Sequence, residues 1–206
     1  MTRLVTFFVF VFNVFFSCFV FAQEPARIDV GSEESINIGS KLEYFEDQEN
    51  QLFLSDVRAL KSSAWSRSTS DTPNFGYTNS SYWFRFRLNN QVSCCGAATQ
   101  NKIIAIQYAL LDHIELYQFE DDHIIGEVIT GDIYPFSQRP LRHRDFLFPV
   151  TLKFDKPVDI YFKIRTQGST QVPITLWDAQ KFNWADQDEQ LIKALYYGML
   201  LVDRKS

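Results

Sequence analysis

In Ser81-Tyr82-Trp83-Phe84-Arg85-Phe86-Arg87-Leu88 the side chains change character at every residue. Tyr82, Phe84, Phe86 and Leu88 are large and apolar, and Trp83, Arg85 and Arg87 stand between them. A strand sends successive side chains to opposite faces, whereas a helix would scatter this set around its axis. The stretch therefore predicts a strand with one buried face. Ile104, Ile106, Tyr108 and Leu110 repeat the pattern, and 113–119, 124–130, 146–154, 160–166 and 172–178 are short runs rich in β-branched and aromatic residues, separated by Gly, Asp, Asn or Pro. Phe146, Phe148, Val150, Leu152 and Phe154 mark one register of such a run, and Pro149 in the other register predicts an edge or a bulge. Upstream, 36–38 and 42–46 predict two more strands, followed by a short helix that Ser55 can cap and that runs through Leu60. Seven or more strands at this spacing predict an all-β chain, an antiparallel β-sandwich.

The end of the chain has a different period. Asp186 or Asp188 can cap a short carboxy-terminal α-helix in which Leu191, Ile192, Leu195, Tyr196 and Met199 recur at three and four residues. Its last apolar run, 195–202, is far shorter than the roughly 20 residues a membrane span needs.

The aromatic load of 20 Phe, 9 Tyr and 4 Trp in 206 residues excludes a disordered chain. Eight of those Phe fall within the first 22 residues, so the count describes a leader and a domain. Arg3 gives a cationic start, 4–21 is apolar apart from Thr6, Asn13 and Ser17, and Ala22 precedes polar Gln23-Glu24-Pro25. These features predict a signal peptide over 1–22, a sandwich domain over 23–182 and a helical linker over 183–206; a retained amino-terminal anchor is the alternative. Without Arg3, 19 of the 20 basic residues face 25 acidic ones, a formal charge of −6. An acidic domain with no basic tract gives no support to nucleic-acid binding.

Cys94 and Cys95 are adjacent, which makes a disulfide between them strained, and no spaced Cys pair suggests zinc. His113, His123 and His143 stand at no metal-ligand spacing, so neither a metal nor another cofactor is expected. Asp121 and Asp122 suit a hairpin turn. A Ser-centred nucleophile elbow and a Gly-rich phosphate loop are both missing, and catalysis has no positive support.

Five stretches occur in an order that resembles a known family: Asn74-Phe75-Gly76-Tyr77 leading to Ser81-Tyr82-Trp83-Phe84-Arg85-Phe86; Asp112-His113-Ile114-Glu115-Leu116-Tyr117; Thr130-Gly131-Asp132 with Pro135-Phe136-Ser137-Gln138-Arg139-Pro140; Ile160-Tyr161-Phe162-Lys163-Ile164-Arg165 with Gly168-Ser169; and Tyr196-Tyr197-Gly198-Met199-Leu200-Leu201. Together they resemble the type-2 extracellular sensor domain of bacterial seven-transmembrane receptors with diverse intracellular signalling modules, 7TMR-DISM. The resemblance implies a periplasmic, jelly-roll-like β-sandwich, similar to carbohydrate-binding modules, that binds a sugar or related small molecule. It also implies that the Tyr-Tyr-Gly-Met-Leu-Leu stretch leads into the first of seven membrane helices. Here the sequence turns charged at Asp203-Arg204-Lys205 after Val202, and the expectation is a sensor head truncated before the membrane region.

Two groups of residues are candidates for ligand binding. Arg139, Arg142, His143 and Arg144, beside Asp145, can fork onto a carboxylate, a phosphate or sugar hydroxyls; pairing with surface acids is the plainer account. Trp83, Arg85, Arg165 and Trp177 fall on the faces opposite the apolar stripes, where an exposed ring and a guanidinium would grip a sugar. Core packing against a second layer, or against the carboxy-terminal helix, is the competing account. The expected function is a non-catalytic periplasmic sensor domain for a carbohydrate or related small molecule. A glycan-processing sandwich enzyme and a protein-interaction module, homodimeric in one form, are the alternatives.

Overall fold

The computed structural model describes residues 24–91 and 99–203. Thirteen strands and two α-helices follow one another among them: β1 (Arg27–Val30), β2 (Ser35–Asn37), β3 (Glu43–Asp47), α1 (Leu54–Arg58), β4 (Ser66–Arg67), β5 (Asn74–Tyr77), β6 (Ser81–Asn90), β7 (Thr99–Ile106), β8 (His113–Glu120), β9 (His123–Thr130), β10 (Phe146–Lys153), β11 (Val158–Arg165), β12 (Ser169–Gln171), β13 (Ile174–Asp178) and α2 (Ala179–Asp203). The expected leader at 1–22, and Cys94 and Cys95, lie outside the described residues.

The alternating stretch from Ser81 to Leu88 becomes most of β6, ten residues long and central to the larger sheet. Along one side it pairs with β11, from Tyr82 opposite Ile164 to Leu88 opposite Val158. Its other side is shared, with β3 antiparallel at Ser81 to Arg85 and β1 parallel at Arg87 to Asn90. The sheet continues through β8 to β9 at one edge and ends at β4 at the other, seven strands in all. A second sheet of four strands runs β10-β7-β13-β2, and β5 pairs with β12 separately. Pro149 sits on β10, an edge strand, where its missing N–H costs no ladder bond.

The two sheets close on one core. Phe84, Phe86, Leu88, Leu116, Ile160 and Phe162 face inward from the larger sheet, and Ile104, Ile106, Phe146, Phe148, Leu152, Ile174 and Leu176 from the smaller. Each of these side chains is essentially sealed from water, worth about 1.5–3 kcal/mol apiece relative to exposure. The chain is thus a mostly antiparallel β-sandwich with a carboxy-terminal helix, the sandwich its alternation predicts, with β1 as a parallel exception.

Both outer faces are covered as well. Over the larger sheet, Val57 of α1 and Trp65 pack on Trp83, Tyr117, Phe119 and Tyr161. Over the smaller, Phe182 of α2 packs on Ile103, Ala105 and Leu147, with Trp177 and Leu141 beside them.

The helices start earlier than their expected caps. In α1 the amide of Phe53 donates to the Asp56 carboxylate at 3.0 Å, so the helix begins at Leu54 rather than after Ser55. The start of α2 is set by Asp178, whose Oδ1 accepts the amides of Gln180 and Lys181 at 3.1 and 3.3 Å. Burial works against that carboxylate's charge, but the Lys181 amide and the buried ammonium of Lys102 outweigh it and hold its pKa below the usual value. Between β8 and β9, Asp121 and Asp122 both adopt positive φ, at 49° and 64°, as a two-residue hairpin turn requires. No helix among the described residues is long and apolar enough to cross a membrane.

Candidate functional site

A cleft of about 870 Å3 opens at one end of the larger sheet's outer face, beyond the aromatic layer. Its floor comes from the pairing of β8 with β11, which sets Arg165 opposite His113 and Lys163 opposite Glu115. Because side chains alternate, those four share one face, while Ile114 and Ile164 point into the core. Ile133 and Tyr134 form one wall, Thr166 and Gln167 another, and Asn50 and Asn79 a third.

The wall at Ile133 and Tyr134 depends on Gly131. Its φ is +148°, and a Cβ there would stand 2.0 Å from the carbonyl oxygen of Asp112. The chain can turn out of β9 against β8 only with no side chain at that position. Asp132 then donates its amide to the Leu111 carbonyl at 2.8 Å, fixing the turn. On the opposite side, Asn50 Nδ2 donates to the Asn79 carbonyl at 2.9 Å, while the buried Asn50 Oδ1 has no partner among the described residues.

The polar groups form a chain. His113 Nε2 lies 2.7 Å from Glu115 Oε1, and the Tyr117 hydroxyl donates to Glu115 Oε2 at 2.8 Å. The His113 bond lowers the pKa of Glu115 most; burial opposes it, and Tyr117 and Lys163 add to the lowering. Glu115 is thus an ionised acceptor, and His113 Nε2 carries the proton between them. His113 Nδ1 meets the Tyr134 hydroxyl at 2.7 Å. Tyr117 is pushed the other way, up from the usual phenol value, by burial first and by Glu115 second. Asp112 Oδ2 accepts the Gln167 amide at 2.7 Å, and Lys163 Nζ donates to the Leu52 carbonyl at 3.2 Å, 5.3 Å from the centre of the Trp83 ring.

Of the residues singled out from the sequence, Arg165 lines this cleft. Trp83 and Arg85 do share its sheet face, as the alternation says, but they are not exposed: Trp83 is fully buried and Arg85 is 3% exposed. The expected open platform is therefore corrected, because residues 45–65 fold back over that face. Arg85 is spent on Glu43 at 2.6 Å and Ser62 at 3.3 Å, with its guanidinium 4.3 Å over the Trp65 ring. Trp177 is half-buried, 5.8 Å from Phe182 of α2 and edge-on to it.

The Arg139 cluster lies against α2 and away from the cleft lining. Arg139 donates through one nitrogen to the carbonyls of His143 and Arg144, at 2.7 and 2.6 Å, and stacks 4.3 Å over Phe146. His143 Nδ1 accepts the Asp145 amide at 3.0 Å, so its Nε2 carries the proton toward Asp186, also 3.0 Å away. Arg144 approaches Asp186 and Asp145 at 3.5 and 3.8 Å. Arg142 is exposed. The plainer account, pairing with acids, describes His143 and Arg144, while Arg139 is held by backbone carbonyls instead.

Sequence reasoning did not single out Glu115, Tyr134, Lys163 or Asp112 as site residues. The signal for two of them lay in the alternation, since His113, Glu115 and Tyr117 form a polar stripe on β8 and Lys163 and Arg165 one on β11. Among the described residues no group of three or more His, Cys, Asp or Glu is placed to hold a metal ion.

A comparison with curated proteins finds no match. The family model described as 7TMR-DISM extracellular 2 matches residues 39–178, a span running from just after β2 to the end of β13 and including every strand that builds the cleft. By that match the chain belongs to the 7TMR-DISM extracellular 2 family, a family of receptor sensor domains.

Proposed function

We propose that this chain is a non-catalytic, periplasmic ligand-binding domain and that its ligand, a carbohydrate or similar polyhydroxylated small molecule, sits in the cleft between β8, β11 and the turn after Gly131. The observation that carries the reading is the cleft itself. Its volume of about 870 Å3 suits a small molecule, and donors and acceptors converge on it from three walls. Asp112 retains an oxygen for a hydroxyl, and the rings of Tyr134 and His113, 5.6 Å apart, give an apolar surface beside it.

Family membership supports the sensor role. The cleft's floor also belongs to β11, which pairs with the central strand β6, so a ligand that orders it acts on the middle of the sheet. Output follows if bound and free states differ in how the sandwich holds α2, since a ligand shifts only those equilibria whose states it binds unequally.

The test is calorimetric titration of the purified chain with a panel of mono- and disaccharides, repeated on Ile133→Trp. Ile133 lines the cleft and is 67% exposed, so an indole there fills the cavity without disturbing the core. Binding by the parent that the variant loses supports the proposal. A panel with no binder, or one whose binder ignores the Trp, overturns it.

A further inference from the structure

The cleft's two acids and two cations are not equally committed. Glu115 is engaged on both oxygens, by His113 and by Tyr117, and Asp112 gives one oxygen to the Gln167 amide. Lys163 uses one of its three donors on the Leu52 carbonyl. Arg165 is exposed and lines the cleft, and its guanidinium makes no hydrogen bond or ion pair among the described residues. It stands two residues from Lys163 on the same face of β11, so the two cations project side by side, about 7 Å apart along the strand. The unspent donors of the site are therefore cationic and include the planar fork of Arg165, while Asp112 keeps one oxygen as an acceptor.

Resting on the proposal that this cleft is the ligand site, we infer that its ligand is an acid: a small polyhydroxylated molecule bearing a carboxylate, of the uronic-acid class. Arg165 takes the carboxylate by two parallel N–H bonds, Lys163 adds a third donor, and Asp112 accepts a ring hydroxyl. A carboxylate fits better than a phosphate. The nearby charges of Asp112 and Glu115 oppose a second negative charge, while a single negative charge is matched by Arg165.

Titration of the purified chain with glucuronate and galacturonate, with glucose and galactose, and with inorganic phosphate tests this. The acids should bind about tenfold or more tightly than their neutral counterparts, the size of a charge-assisted hydrogen-bond pair. Arg165→Ala should remove that preference, lowering affinity for the acids about tenfold more than for the neutral sugars; Arg165→Lys should restore only part of it. Neutral sugars that bind the parent as tightly as the acids overturn the inference and leave the cleft as the ligand site. Equal losses for acids and neutral sugars in Arg165→Ala also overturn it, as does phosphate binding more tightly than the uronates. If nothing on the panel binds, the proposed function falls with it.

Discussion

Trp83 shows how a residue can be placed on the right face and given the wrong surroundings. Alternation puts it opposite Phe84 and Phe86, and it is there; what alternation does not register is the segment from Phe45 to Trp65 that returns over it. Covering segments of this kind are irregular, and their contacts join residues far apart in sequence, so no local period announces them. A core role makes a definite forecast. Trp83→Ala should cost about 3–5 kcal/mol in denaturant unfolding, as for other large-to-small core changes. Trp83→Phe should cost far less, under about 1.5 kcal/mol, because the indole N–H is buried with no partner and its removal leaves nothing unpaired. A platform residue would behave differently, with both variants stable and both defective in binding. Gly131→Ala should also destabilise, since the new methyl would meet the Asp112 carbonyl; a melting curve unchanged from the parent would contradict that contact.

At the scale of elements, the longer strands were legible, whereas the short strands β1, β4, β5 and β12 and the docking of the helix were not. The period-two runs mark β6, β8, β9, β10 and β11 within two residues at either end, because each buries one face and leaves a chemical alternation behind. Tyr108 and Leu110 continue the apolar register of β7 without belonging to it, since the chain leaves the sheet after Ile106. The start of α2 was misplaced because Asp178 reads as the end of a strand; it is that and also the cap of the helix. The first turns of α2 are anchored by Phe182, edge-on to Trp177 and 5.5 Å from His143, and by the His143 to Asp186 bond. Phe182→Ala should therefore raise amide exchange in the first turns of α2 at least tenfold in hydrogen–deuterium measurements, while β6 and β11 stay protected. Equal loosening of helix and sheet would mean that α2 is integral to the sandwich rather than docked on it.

For the whole molecule, acid is the informative perturbation. Glu115 has a folded pKa below its ordinary 4.5, so its contribution to stability is fully present above that value and is lost as pH falls through the folded value. Asp178, lowered in the same sense from 3.8, adds to the loss slightly further down. Thermal melts should fall as pH drops below about 4.5. Glu115→Gln should flatten the upper part of that fall, having no charge there to lose; parallel curves for parent and variant would remove Glu115 from the account.

One pairing governs how the molecule comes into being. Ile36 of β2 lies opposite Leu176 of β13, and the Ile38 amide donates to the Ile174 carbonyl at 3.0 Å, so the smaller sheet is closed by strands from opposite ends of the domain. Neither strand has that partner until the other has been synthesised. Chains that wait on such distant contacts fold slowly, since loop closure costs entropy before any contact repays it. A polypeptide emerging amino-terminus first therefore cannot complete its smaller sheet until residue 176 is available, so no shorter nascent chain holds the whole native sandwich.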